Sequence, residues 1–307
     1  MPTIEADIDR YGTLARASYL ADYLELLALT GIRCTFPQLA EMIADRFGLK
    51  REILLLPEED PEDEDTAAAF IDQARECILE RGDILGAAYP FEIDDIELRI
   101  SGGADPDESV YVALLCVTLV HAYSLDAGLN VEEVFEALVA EALTNLELVV
   151  GNVGETSRQN AGNFVRTLDA LASSMDLPLD PSAAPRRRRA NDAGADILAF
   201  SSWGDHRTGR WSAIGQVTCG DSDSWVGKLF EPKPLQWVKF LAETTEPRCF
   251  LAVPHHVNER PFRELSANSG RTVIDRLRLA KLLDPLPGVL RDIIACVRAS
   301  SVQGSEF

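Results

Sequence analysis

Two apolar runs, "DILAF" from Asp196 and "RWSAIGQVTC" from Arg210, are joined by "SSWGDHRTG", whose Gly and Asp suit a turn. Runs of this length bounded by turn residues read as neighbouring strands. Strands bury an apolar face only when helices or a second sheet cover it, so the pair demands a layered domain. The flanking sequence provides the layers. "SRQNAGNFVRTLDALASSM" reads as a helix with Phe164, Leu168 and Leu171 on one face, and "SWVGKLFEPKPLQWVKFLAE" as a helix broken by its two prolines. "RCFLAVP" reads as another strand, and "TVIDRLRLAKLL" as a short strand or helix. The order helix, strand, strand, helix, strand, helix predicts a mixed α/β domain over residues 151–303. The closing "GSEF", 304–307, reads as a cloning scar.

Residues 1–150 have a different texture. "RYGTLARASYLADYLELLALTG" places Leu14, Tyr19, Tyr23, Leu24 and Leu27 along one stripe and stops at Gly31. "FPQLAEMIADRFGL" and "TAAAFIDQARECILERG" read as further amphipathic helices, the latter with Phe70, Cys77 and Ile78 inward. "NVEEVFEALVAEALTNLELVV" opens with Asn130 and Glu133 in capping-box-like spacing and reads as a helix to its end. "PEEDPEDEDT" is an acidic, proline-broken loop. The expected fold class is therefore α+β in two domains, a helical one followed by an α/β one with a central mixed sheet.

Charge divides along the same line. Residues 181–307 hold 18 Lys+Arg against 14 Asp+Glu, a net of +4, which leaves 11 against 36 and a net of −25 for residues 1–180. Such asymmetry points to halves with different partners. The acidic half repels a phosphate backbone and suits a protein partner, self-association, or mimicry of nucleic acid in another protein's basic groove. The longest apolar run, "VYVALLCVTLV" from Val110, is about half a membrane span and reads as a buried helix. "MPTIEADIDR" lacks the basic and apolar regions of a secretory signal. The six cysteines are scattered singly, as in a reduced, cytoplasmic chain, and match neither a disulfide framework nor a zinc site.

The paired runs also carry the most suggestive chemistry. Asp196 stands at the mouth of the first, and Gln216 and Thr218 share a face of the second. Lys228 follows about one turn into the next helix. Phosphodiester hydrolysis uses oxygen ligands to hold Mg²⁺, which activates water and neutralises charge on the scissile phosphate. A lysine then stabilises the transition state.

On "GADILAF", "AIGQVT" and the helix and strand after them, residues 150–283 resemble the PD-(D/E)XK nuclease superfamily, and within it the Mrr-like restriction branch. The resemblance implies a restriction-endonuclease-like fold, with Asp196 as metal ligand and Gln216 as the second-strand ligand of Mg²⁺ or Mn²⁺. Where that pattern has lysine this chain has Thr218, and Lys228 is the expected replacement. Glu155, ahead of the preceding helix, is the candidate third carboxylate. The resemblance further implies nucleic acid, with DNA foremost, as substrate, and restriction or phage defence as the setting. Arg186, Arg187, Arg188 and Arg189, with Arg207 and Arg210, form the expected phosphate-binding set. The alternative is a nuclease-like subunit without catalysis that binds nucleic acid or a partner protein, and Thr218 favours it.

Other patterns fall away. "GDSDSWVGKL" has six residues between Gly220 and the Gly227–Lys228 pair where a P-loop needs four, and Leu229 replaces the hydroxyl residue that would hold Mg²⁺. His255 and His256 are adjacent and point apart, a poor metal pair. His206 and Asp205 belong to the turn, and Trp225 reads as core.

Overall fold

The computed structural model describes residues 3, 4, 7, 9–47, 63–154, 164–175, 177, 180, 194–205, 207–283 and 285–302. The chain is mixed α/β. In chain order the described elements are β1 (Thr3–Ile4), α1 (Arg16–Leu29), α2 (Phe36–Phe47), α3 (Asp63–Leu85), β2 (Phe91–Asp94), β3 (Glu97–Ile100), α4 (Val110–Ala122) and α5 (Val131–Asn145). They continue with β4 (Leu148–Asn152), α6 (Phe164–Met175), β5 (Ile197–Ser201), β6 (Ser212–Val217), α7 (Ser222–Phe230), α8 (Pro234–Phe240) and β7 (Arg248–Ala252). The last are α9 (Glu259–Ser269), β8 (Thr272–Ile274), α10 (Arg276–Leu282), α11 (Val289–Arg298) and β9 (Ser301–Val302). Contacts divide the chain into two compact units, Met1–Asp126 with Leu286–Phe307, and Ala127–Pro285.

The first unit is mainly helical. Every residue of α4 from Val110 to Val120 is buried, as its unbroken apolar run requires, and the Ser109 hydroxyl caps its start by accepting from the Val112 N–H. Ion pairing fixes how α1 and α3 meet. Arg81 on α3 is fully buried and lies 2.8 Å from both Asp22 and Glu25, one helical turn apart on α1. Its guanidinium also donates to the Ser18 carbonyl at 3.2 Å and hydroxyl at 3.0 Å. Tyr89 donates to Glu25 at 2.5 Å, and Tyr111 on α4 reaches both of that carboxylate's oxygens. Burial acts against the charge on Arg81, but Glu25 and Asp22 outweigh it and hold the guanidinium protonated. The C-terminal α11 packs on α4, and β9 pairs in parallel with β1. Arg291 on α11 grips Glu108 through two contacts at 3.0 and 2.6 Å. Residues 286–302 therefore complete the helical unit and do not extend the α/β one.

The second unit holds a five-stranded sheet in the order β4-β5-β6-β7-β8. β4, β5 and β6 form an antiparallel meander, and β6, β7 and β8 run parallel. One face of the sheet is covered by α6 and α8: Phe164, Leu168, Trp237 and Phe240 pack on Leu198, Phe200, Ile214 and Cys249. Phe164 meets Trp237 and Phe240 edge-on at 6.0 and 5.9 Å.

Two further boundaries differ from the sequence reading. The helix expected to run through "NLELVV" stops at Asn145, and Leu148–Asn152 becomes β4, pairing with β5 from Leu148↔Ser201 to Asn152↔Ile197. Glu147, at φ 61, makes the break, and the Val149–Val150 pair suits a strand better than a helix. Since α5 packs on β4, both belong with the sheet, and the unit begins near residue 127 instead of 151.

Candidate active site

Asp196 immediately precedes β5, and because β5 runs antiparallel to β6 it lies at the C-terminal end of β6, beside Gln216. Its backbone N–H donates to the Gly215 carbonyl at 2.8 Å, and its carboxylate accepts from the Val217 N–H at 2.9 Å. These bonds fall on the two residues flanking Gln216, so the carboxylate is held against that part of β6. The Asp196 carbonyl accepts from Val153 and Gly154 at 2.7 and 3.0 Å, fixing the same residue to β4. Gly194, at φ 71, lets the chain pass close beneath the end of α7: a Cβ there would collide with the Glu231 backbone carbonyl.

Gln216 is buried at 3% exposure. Its side-chain oxygen lies 3.5 Å from the Lys228 Nζ, a long hydrogen bond. Lys228 sits on α7, whose first turn is capped by the Asp221 carboxylate accepting from the Asp223 N–H at 3.1 Å. The helix is anchored by Trp225, fully buried, whose indole donates to the Gly220 carbonyl at 3.1 Å. That anchor makes Trp225 a core residue, and Lys228, three residues on, projects toward β6. Its ammonium also lies 3.5 Å from Glu231, a half-exposed pair that leaves it within reach of solvent. Asp196 and Gln216 are thus neighbours on adjoining strands, and Gln216 meets Lys228. The Thr218 hydroxyl is turned into its own loop, where it accepts from the Gly220 N–H at 3.1 Å.

Glu136, not singled out in the sequence, lies against the backbone that follows β4. Both carboxylate oxygens of Glu136, on α5, lie 2.9 Å from where a Gly154 Cβ would be, beside the backbone that binds the Asp196 carbonyl. Glu132, one turn earlier, acts on the other side: after burial, its charge is what pushes the Cys219 thiol above the ordinary range. The sequence offered one signal for Glu136, its place on the helix directly before the first strand of the sheet. It was obscured because α5 reads as part of an acidic half holding 36 carboxylates.

The other expected site residues divide three ways. Glu155 and Arg186–Arg189, like His206, lie outside the described residues. Arg207 is exposed in the turn between β5 and β6. Arg210 does not suit phosphate binding. It is 6% exposed, its guanidinium lies over the Phe200 ring at 5.4 Å, and its Nε is 4.0 Å from Glu243. It braces the base of the hairpin. His255 and His256 are buried as well. His255 Nε2 lies 3.2 Å from the Cys219 carbonyl oxygen, and its ring packs 5.4 Å from Trp225, so it secures the β6 and β7 ends.

Asp196 and the Gln216 side chain offer oxygen donors, of the kind a hard cation such as Mg²⁺ or Mn²⁺ takes. No group of three or more His, Cys, Asp or Glu able to hold a metal occurs among the described residues. No helix among the described residues is long and apolar enough to cross a membrane. No family model, curated protein or solved structure matches the chain.

Proposed function

We propose that the sheet-bearing unit is a metal-dependent nuclease of the PD-(D/E)XK type, hydrolysing phosphodiester bonds with DNA as the foremost substrate. The observation that carries the reading is the placing of Asp196 beside Gln216 at one end of neighbouring strands, with Lys228 of α7 on the Gln216 side chain. Asp196 and the Gln216 side-chain oxygen would hold Mg²⁺ or Mn²⁺. When bound, the ion supplies an activated water and neutralises charge on the scissile phosphate. Lys228 stabilises the pentacovalent transition state and keeps the Gln216 amide oriented. Val217 and Gly215 hold Asp196 in place through their backbone groups, so little reorganisation accompanies the reaction.

Restriction or phage defence is the proposed setting, and the acidic helical unit is the proposed partner-binding or restraining part. A single incubation series tests the activity: plasmid and single-stranded substrates with Mg²⁺, Mn²⁺ or EDTA, beside Asp196→Ala. Metal-dependent cutting that disappears in the variant is expected. One observation favours a second reading, a nuclease-like subunit that binds without cutting. The Thr218 hydroxyl is committed to the Gly220 N–H, so no cation occupies the position where the family pattern has lysine. Binding without cutting under every metal would select that reading.

A further inference from the structure

The two large indoles left in solvent stand together. Trp203 and Trp211 are 58% and 74% exposed, and their ring centroids are 5.4 Å apart at an interplanar angle of 73°. They flank the turn between β5 and β6, at the end of the hairpin opposite Asp196. Trp203 is seven residues beyond Asp196, roughly 20 Å at strand rise, so the pair is separate from the cluster of Asp196, Gln216 and Lys228.

The backbone beneath them is held firmly. Ser201 N–H donates to the Trp211 carbonyl at 2.8 Å, and the Trp211 N–H donates to the Ser201 hydroxyl at 3.2 Å. Farther round the turn, the Gly209 N–H donates to Glu243 at 2.6 Å, and the Thr245 hydroxyl to the Arg210 carbonyl at 3.0 Å. The indoles are therefore presented on a braced hairpin, at a standing cost in exposed apolar surface. The other two tryptophans, Trp225 and Trp237, are fully buried.

We infer that Trp203 and Trp211 form a stacking platform for unpaired bases of nucleic acid, with Arg207 meeting the phosphates alongside. The inference rests on the nucleic-acid reading of the same unit. An apolar protein interface needs a continuous core of apolar side chains. Here the turn that carries the indoles is built of Ser201, Ser202, Gly204, Asp205, Thr208 and Gly209, none of them apolar and all but Ser201 exposed. Two exposed aromatic rings on a polar turn suit planar, polar-edged bases, which stack without needing an apolar rim. Exposed Arg207 adds a positive charge in the loop between them. Asp205, whose carboxylate accepts from the Arg207 backbone N–H at 3.1 Å, offsets that charge, so the rings carry most of the recognition.

The test uses the full chain in EDTA, so that binding is read without cutting. Probes are oligo-dT, a duplex of equal length, and an oligonucleotide of abasic residues with the same phosphate backbone. Oligo-dT quenches the fluorescence of the exposed indoles, whereas buried Trp225 and Trp237 do not respond. Trp203→Ala and Trp211→Ala each lower oligo-dT affinity about five- to tenfold or more. The double variant binds oligo-dT no better than the abasic strand, and its far-UV circular dichroism is unchanged. Equal affinity of the wild type for oligo-dT and the abasic strand overturns the inference. So does unchanged oligo-dT binding in the double variant, or a shift in oligomeric state as its only effect. If the wild type cuts duplex with Mg²⁺ while the tryptophan variants bind oligo-dT normally, the platform is refuted and the nuclease reading stands. If tryptophan-dependent binding occurs without cutting, the platform stands and the nuclease reading falls.

Discussion

Replacing Asp196 by alanine and by asparagine separates its part in the fold from its part in the chemistry. The Asp196 carboxylate accepts a hydrogen bond from the Val217 N–H at 2.9 Å. Alanine removes that acceptor and leaves the Val217 donor on β6 without it. A hydrogen bond to a charged acceptor contributes about 1.5–3 kcal/mol, and the partial exposure of Asp196 puts the expected loss near the lower end, about 1–2 kcal/mol. In a unit of this size the corresponding fall in Tm is roughly 2–8 °C. Asparagine keeps an acceptor oxygen for the Val217 N–H and should cost less than about 1 kcal/mol. Both variants lose the anionic oxygen that would hold the metal, and cutting should fall more than about 100-fold in each. Calorimetry and Mg²⁺-dependent plasmid cleavage, run side by side, check the two effects. Asparagine at position 196 cutting at the wild-type rate would refute a metal-ligand role. Equal stability of the alanine variant and the wild type would refute the Val217 bond.

Lys228→Ala should lower turnover far more than substrate affinity, because the contact forms mainly in the transition state; single-turnover cleavage beside equilibrium binding separates the two. Its stability should change by less than about 0.5 kcal/mol, since the pair with Glu231 is half-exposed. Arg81→Met leaves Asp22 and Glu25 buried without their cation and should destabilise the helical unit by about 3–5 kcal/mol, measured by urea denaturation. Burial pushes the Cys34 thiol up to about 11, above the value of about 8.5 in an unfolded chain. The protonated thiol is therefore favoured by the fold, its contribution is complete below about pH 8.5, and it is lost as the pH rises toward 11. Urea midpoints should fall more steeply with pH over that window in the wild type than in Cys34→Ala, while the buried tyrosines weigh on both alike.

The sequence by itself determined the elements whose burial pattern is local. The run from Val110 to Val120 could only be a buried helix, and the prolines at 232 and 234 could only break "SWVGKLFEPKPLQWVKFLAE". The apolar runs flanking "SSWGDHRTG" gave the hairpin, and with it the placing of Asp196 and Gln216 at one end of neighbouring strands. Alternation of side chains along a strand and the reach of a turn are short-range properties, so a few residues suffice to specify them.

Tertiary structure decided everything that depends on residues distant in the chain. "LELVV" continues a helical pattern locally, yet it forms β4 because β5 offers it five paired positions, a gain invisible to a window of neighbours. Arg210 is indistinguishable from Arg207 in sequence, but Phe200 and Glu243 enclose one and not the other. Asp22, Glu25 and Arg81 sit in sequences that read as ordinary helix surface, and only the packing of α1 on α3 makes them a buried ion cluster. Glu136 lies against Gly154 because that residue has no side chain to keep it away. Charge and polarity are visible one residue at a time, whereas burial and partnership are properties of pairs that the fold alone brings together.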